Sequence, residues 1–414
     1  KRVIPSYHFD KAKVIVSLSA DFLGTWLSPV EFSNQYSQNR KVKGEKVELS
    51  RHFQFESMMS LTGSNADDRY THKPSETGAV ALALAAKLGV AVAAPSIADA
   101  KLTKAIDSVA AALTAAKGAA LVVCGSNDVN IQVIVNAINE AIGANGTTIN
   151  WAITSNYKNG IDADMAKLVG DMNSGAIGAV LIHGVNPAYS YSDSKKFKDG
   201  LLKVVGVSFN ASMDETTELC KYLLPAHHWL ESWGDAEPKT GYYSLIQPTI
   251  NPLFKTRPFQ TNLIKWSAAA GSLVNDYETY FKTYWNAKLG SADLYEKALQ
   301  DGVVEPTALP VGSASFNSGK LTEAVAAIAT IKGGAIEVIF YEKVSIGNGS
   351  QANNPWLQEM PDPITKVTWD NYAMIGPDLA KTLVNLDVLN LEGGKQSNYE
   401  VHPEKPVVKI TVNG

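Results

Sequence analysis

The residues best able to do chemistry in this 414-residue sequence are few and widely spaced. The densest polar run is His227-His-Trp-Leu-Glu-Ser-Trp-Gly-Asp-Ala-Glu237. On a helix His227 and Glu231 stand four apart, and His228 and Glu231 three apart, so two metal ligands would share one face. No third ligand is visible beside them, and Trp229 and Trp233 read as a packed turn. The run is therefore expected to be a structural or interfacial hydrogen-bond network, and no metal site is expected. Cys124 and Cys220 are the only cysteines. An iron-sulfur cluster generally takes four thiolates, and structural zinc needs more ligands than this pair supplies. Both are read as small buried apolar residues. Glu31, Arg40, Arg51 and His52 lie too far apart in sequence to be argued into a site.

A Walker loop, a GxSxG elbow and an HExxH helix are all missing, so no catalytic set is expected. The loops Gly125-Ser-Asn127 and Gly184-Val-Asn-Pro187 stop short of GxGxxG and read individually as ordinary strand-to-helix turns. Their recurrence after two apolar strands points to a nucleotide crevice, present or vestigial.

The elements that position these loops repeat one unit three times: an apolar run, a short polar loop and a helical stretch. The runs are Lys13-Val-Ile-Val-Ser-Leu18, Ala120-Leu-Val-Val-Cys124 and Gly178-Ala-Val-Leu-Ile182. Helices are expected at residues 29–40, near 194–203, and after Asn127, where Ile131, Ile134, Val135, Ile138 and Ile142 share a face. Such alternation argues for parallel sheets covered on both faces, with ligands at the carboxyl ends of the strands. A further strand is expected at 204–209. Ser212 and Glu215 then have capping-box spacing for a helix ending before Tyr222.

From Phe259 the character shifts to aromatic-rich helices, at 259–271 and 276–289, whose aromatic stripe reads as packing. A helix at 321–332 leads to a strand at 336–340, and a Pro-rich crossing at 355–363 reads as a boundary. Beyond Trp369 a short helix at 377–384 precedes β-type sequence.

Composition narrows the class. Hydrophobic residues at 45% and charged residues at 19% describe a globular chain, and its length suits two or three domains. Lys and Arg total 37 against 41 acidic residues, a net charge of -4, which leaves no broad basic surface for nucleic acid. The apolar stretch 78–95 holds Lys87 and Gly89 and reads as a soluble helix followed by a short strand. The first residue is Lys1, without an initiator Met or an apolar h-region, so any export signal has been removed or lies outside this sequence, and residues 406–414 read as an unpaired strand entering a hairpin. A piece of a longer protein is expected.

Several stretches resemble a known family. Leu181-Ile-His-Gly-Val-Asn-Pro187, Met213-Asp-Glu-Thr-Thr-Glu-Leu-Cys220, Tyr222-Leu-Leu-Pro-Ala226 and Trp229-Leu-Glu231 follow the succession of molybdopterin oxidoreductases. Four others resemble the molybdopterin-like large subunit of bacterial alternative complex III. They are Asp21-Phe-Leu-Gly24, Glu56-Ser-Met-Met-Ser-Leu-Thr-Gly63 with Ala66-Asp-Asp-Arg69, Glu231-Ser-Trp-Gly-Asp235, and Asn354-Pro-Trp-Leu-Gln-Glu-Met-Pro-Asp-Pro363. Together they span residues 14–412.

The resemblance implies an α/β fold with Rossmann-like parallel-sheet lobes of the molybdopterin oxidoreductase (DMSO reductase) type, followed by the start of a β-rich domain. The expected divisions are a first lobe at 1–76, a second at 77–258, a helix-rich segment with a return strand at 259–366, and a truncated barrel-like start at 367–414. It implies a non-catalytic part of a quinol-oxidising respiratory complex on the periplasmic face of the bacterial inner membrane. Its partners would be a membrane-embedded quinol-binding subunit, a multihaem cytochrome c subunit, the ferredoxin-like iron-sulfur part of the same subunit, and a terminal oxidase. No cofactor is expected in this segment, with the iron-sulfur clusters and haem c carried elsewhere.

The competing implication is an active molybdenum enzyme whose metal ligand and cluster lie outside this segment. Were a pterin cofactor bound, Gly184, Asn186, Pro187, Asp214 and Glu215 would be its contacts. Active relatives continue past the Trp-Leu-Glu with a Glu-Gly-Arg that meets the pterin. Here Tyr242 stands where that Arg would, so a guanidinium fork suited to an anionic cofactor is lost.

Overall fold

The structure is a computed structural model that describes residues 3–42, 44, 48–268, 276–308, 310–385 and 407–412. The chain divides into two compact units, Lys1–Ala352 and Asn353–Gly414.

In the first unit β1 (Ile4–Tyr7) precedes β2 (Val14–Leu18), β3 (Arg51–Glu56), β4 (Asp68–Thr71) and β5 (Ala120–Cys124). The last four form a parallel sheet in the order β4-β3-β2-β5, with Val14 paired to both Arg51 and Ala120. β2 and β5 are apolar at nearly every position because both faces are covered, and all their residues are buried. α1 (Pro29–Gln38) follows β2, and the one-turn α2 (Leu61–Ser64) follows β3. α3 (Thr77–Lys87), α4 (Ala100–Ala115) and α5 (Val129–Ala141) build the rest of this layer. α5 starts where the Asp128 carboxylate accepts the Asn130 N–H, and it turns Ile131, Ile134, Val135 and Ile138 into the core. Lys87, the one charge in the apolar stretch around α3, pairs with Asp107 of α4 at 2.7 Å.

This sheet crosses the division expected at 76/77, since β5 lies beside β2. The short strand expected before Pro95 is not formed. Gly89 takes φ +83°, and Val90 N–H bonds back to Ala85, which ends α3 in a closed turn.

β6 (Ile149–Ser155) returns antiparallel to β1. After α6 (Asp162–Ser174) comes a second parallel sheet, β7 (Ala179–Ile182), β8 (Val205–Ser208) and β9 (Tyr222–Leu223), with α7 (Pro187–Ser190) and α8 (Ser194–Leu201) between its first two strands. Val169, Met172, Ile182, Phe197 and Leu201 pack where α6 and α8 meet this sheet. On the opposite face Leu181 and Val205 remain 48% and 37% exposed, so the covering expected on both faces holds for the first sheet only. β10 (Gly234–Lys239), β11 (Tyr242–Ile246) and β12 (Val303–Val304) complete a five-stranded antiparallel sheet in the order β1-β6-β10-β11-β12.

α9 (Phe259–Ala268), α10 (Tyr277–Leu289), α11 (Ala292–Asp301) and α12 (Leu321–Ala329) follow. The aromatic stripe packs as expected: Tyr277, Phe281 and Trp285 bury against Leu245, Tyr295 and Ala298. Residues 269–271 of the first expected helix lie outside the described residues. The strand expected at 336–340 does not form. Ile336, Val338, Ile339 and Phe340 are exposed with no ladder partner, and Glu337 is held by its side chain to Ser75 N and Oγ, both at 2.8 Å.

In the second unit Asn354 caps α13 (Pro355–Glu359), and α14 (Pro377–Val384) ends at Asn385, φ +55°. No strand occurs among the described residues of this unit. Most of the expected β-type sequence, 386–406, lies outside them. No helix among the described residues is long and apolar enough to cross a membrane.

Candidate functional site

The loops after β7 and β8 bring together all five residues expected to meet a pterin. Gly184 turns the chain with φ +67°, a conformation that favours glycine. Its N–H donates to Asn210 Oδ1 at 2.8 Å, while Asn210 Nδ2 donates to the Val185 carbonyl and to Asp214 Oδ2, both at 2.9 Å. Asn186 Nδ2 donates to Glu215 Oε2 at 2.6 Å, and Asn186 Oδ1 accepts the Thr216 hydroxyl at 2.7 Å. Thr216 Oγ1 in turn accepts the Ala188 N–H. Pro187 opens α7, where its missing N–H costs nothing.

The helix expected from Ser212 is replaced by this arrangement. Asp214 Oδ1 accepts the Thr217 N–H at 2.7 Å, and only the short 3-10 turn Thr217–Leu219 forms. Glu215, expected to close a capping box, instead reaches across to Asn186. That amide bond is the main cause holding the Glu215 carboxyl below its usual range.

Both ends of Asn186, both ends of Asn210 and both oxygens of Asp214 are thus engaged within the protein. The converging groups are amides, hydroxyls and two carboxylates, a poor match for an anionic pyrophosphate. Tyr242 supplies no replacement charge. The neighbouring Lys239 lies 5.3 Å from its ring centre and is tied to Glu31 at 2.7 Å. These residues do not fit a pterin dinucleotide without breaking their own bonds.

A second polar cluster sits at the carboxyl end of β3, at residues that looked too scattered in sequence. β3 points Phe53 and Phe55 to one side and His52, Gln54 and Glu56 to the other, and all five are buried. Glu56 accepts from Arg69 Nε at 2.5 Å, Ser60 Oγ at 2.6 Å, Gln54 Nε2 at 3.0 Å and Ser60 N at 3.1 Å. Gly63 permits this: a Cβ there would stand 1.9 Å from Glu56 Oε1. Asp21 works alike on the neighbouring loop, accepting Thr62 N and Oγ1, with Gly24 leaving room for its carboxylate.

Gln54 commits its NH₂ to Glu56, so its Oε1 meets His52 Nε2, which therefore carries the proton. His52 Nδ1 and the Asn65 carbonyl, both acceptors, then share the one Tyr36 hydroxyl proton, each 3.2 Å from its oxygen. Burial pushes the His52 pKa down to about 4, so the ring is neutral. Arg40 forks onto Asp67 at 2.7 and 2.9 Å, and Arg51 holds Asp68 at 2.9 Å, both beside an open groove with Leu49 and Ser50. The period-two row His52, Gln54, Glu56 is the signal in the sequence that could have found this cluster. With four donors on Glu56, it is a clamp holding loop to strand.

His227 and Glu231 do not share a helix. A 3-10 turn, Trp229–Glu231, is capped by His228, and Glu231 accepts the N–H groups of His228 and Leu253, which hold its carboxyl below the usual range. His227 Nδ1 meets Thr256 Oγ1 at 2.7 Å and lies 3.9 Å from Glu231. Among the described residues no group of three or more His, Cys, Asp or Glu is placed to hold a metal. Cys124 is buried at the end of β5, and burial pushes its thiol up to about 11. Cys220, expected on a helix, follows the 3-10 turn half-buried, and desolvation raises its thiol as well. Neither is a reactive thiolate.

No protein-family model and no curated protein matches the chain. Among solved structures it is similar to acetylene hydratase from Pelobacter acetylenicus, with a TM-score of 0.53 and 10% sequence identity. The likeness covers 85% of this chain and 61% of that one, so the chain spans about three-fifths of the structure it matches. The fold is of the molybdopterin oxidoreductase type.

Proposed function

We propose that this chain is a non-catalytic, molybdopterin-enzyme-like scaffold portion of a respiratory quinol:electron-acceptor oxidoreductase, alternative complex III. The observation that carries the reading is the closed network of Asn186, Asn210, Asp214, Glu215 and Thr216, which occupies in-chain the polar groups a pterin would need. The stretches from Asp21 to Gly24, Glu56 to Gly63 and Asn354 to Pro363 supply the resemblance to that complex, and the fold is consistent with it.

In this role the chain stands on the periplasmic face of the bacterial inner membrane. It holds the ferredoxin-like iron-sulfur part of its own subunit and a multihaem cytochrome c subunit beside a membrane-embedded quinol-binding subunit. Electrons pass from quinol through those carriers to cytochrome c or a terminal oxidase. This chain contributes a rigid frame, which the Glu56 clamp and the doubly covered first sheet provide. A catalytic molybdopterin oxidoreductase would need the loop after β7 to release its internal bonds.

Isolation from native membranes tests the assembly. Co-isolation with haem c and quinol-oxidising activity is expected. A monomer that never travels with membranes or haem contradicts the proposal.

A further inference from the structure

Among the described residues the chain carries Asn-Gly pairs at Asn145-Gly146, Asn159-Gly160 and Asn348-Gly349. In such a pair the glycine nitrogen can attack the preceding side-chain amide carbon, because no Cβ hinders the approach. The attack needs an amide side chain free to swing and a glycine N–H free to lose its proton.

Two of the pairs are locked. Asn145 donates from Nδ2 to Glu140 at 2.6 Å and accepts Trp151 Nε1 at 2.8 Å, while Gly146 N–H bonds to the Ile149 carbonyl at 2.8 Å. At the third pair Asn348 Oδ1 accepts Ser350 N–H at 3.1 Å, and Gly349 N–H bonds to Ile346 at 3.1 Å. Asn159-Gly160 differs on both counts. Both residues are exposed, the Gly160 nitrogen makes no hydrogen bond, and the Asn159 side chain has only a solvent-exposed 3.2 Å bond from Nδ2 to Oδ1 of the half-buried Asn156.

We infer that Asn159 is a site of spontaneous deamidation in the folded protein. The Gly160 nitrogen bonds to Asn159 Cγ and gives up its proton, the Cγ–Nδ2 bond breaks, and ammonia leaves from a cyclic imide. Water then opens the imide at either carbonyl to give aspartate or isoaspartate. Water is the only co-reactant, and one negative charge is gained. The product sits on the loop between β6 and α6, whose Asn156 is tied to β10 through Pro238 O at 2.9 Å and Glu237 O at 3.0 Å. An isoaspartate lengthens the main chain by one carbon three residues from those ties.

The test is peptide mapping by mass spectrometry of the intact protein held at mildly alkaline pH, beside a urea-unfolded sample and a Gly160→Ala variant. Alanine is tolerated there, since nothing lies within 4 Å of its Cβ position. In the folded protein conversion at Asn159 is expected at least about tenfold faster than at Asn145 or Asn348, with the three rates converging in urea. G160A is expected to suppress conversion at Asn159 alone. Equal rates at the three sites in the folded protein, or undiminished conversion in G160A, would overturn the assignment.

Discussion

Two loops at the carboxyl ends of parallel strands, one after β3 and one after β8, are both closed by side-chain hydrogen bonds, yet they close against different surroundings. The β3 loop folds around a carboxylate 3% exposed, whose partners Gln54 and Ser60 are buried with it while Arg69 reaches partly to solvent. The β8 loop closes Asn186 onto Glu215 in the open, where water competes for that bond, and only Thr216 beneath it is buried. The same chemistry is therefore a strong element of stability in one place and a choice of conformation in the other. The first loop makes a frame, and the second fixes the conformation of a loop at the surface.

Removing Glu56 is the most severe way to probe this difference. Glu56→Ala strands the Arg69 guanidinium and the Ser60 and Gln54 donors, and is expected to cost about 3 kcal/mol in denaturant unfolding. A loss below about 1 kcal/mol would place the β3 loop with the exposed one and break the comparison.

Acidification is expected to weaken the buried cluster next. His52 has a folded pKa of about 4, below the ordinary 6.5, so the unfolded chain binds the extra proton between those values. Stability from this ring is full above pH 6.5 and falls as pH drops toward 4, by on the order of 3 kcal/mol at most. Tyr36, Gln54, Arg40, Asp67 and Glu56 all face the ring or its strand; Tyr36 and Arg40, both raised, and Asp67, held low, keep their charge state through that window. His52→Gln should flatten the slope of unfolding midpoint against pH. An unchanged slope would assign the acid sensitivity to other groups.

The exposed loop should respond least. Asn186→Ala removes one bond beside solvent, to Glu215, and one part-buried bond from Thr216, and a loss of about 1 kcal/mol is expected, with quinol oxidation by the proposed complex unchanged. A change in activity larger than the change in stability would give the loop a chemical role and reverse the contrast.

In the first sheet β3 and β4, which carry no apolar run, were not expected, while β2 and β5 were legible as short apolar runs and α5 as isoleucine at helical spacing. Each signal is local. What failed was non-local. Residues 336–340 have strand composition, but a strand needs a ladder partner that composition does not name. Ser212 and Glu215 have capping spacing, but Asn186, 29 residues away, took the carboxylate first. The β3 cluster joins residues far apart in sequence, such as Arg40 and Asp67, 27 positions apart, which only the topology brings together. Gly184, Asn186, Pro187, Asp214 and Glu215 lie together on the loops after β7 and β8, and their saturation with internal bonds was not visible in their identities.

In the role we propose, this frame holds a closed loop and no pterin. Elemental and pterin analysis of the complex purified from native membranes tests it most directly. Iron in haem and clusters is expected, with molybdenum, tungsten and extractable pterin far below one per complex. One molybdenum or tungsten per complex with pterin to match would contradict the account.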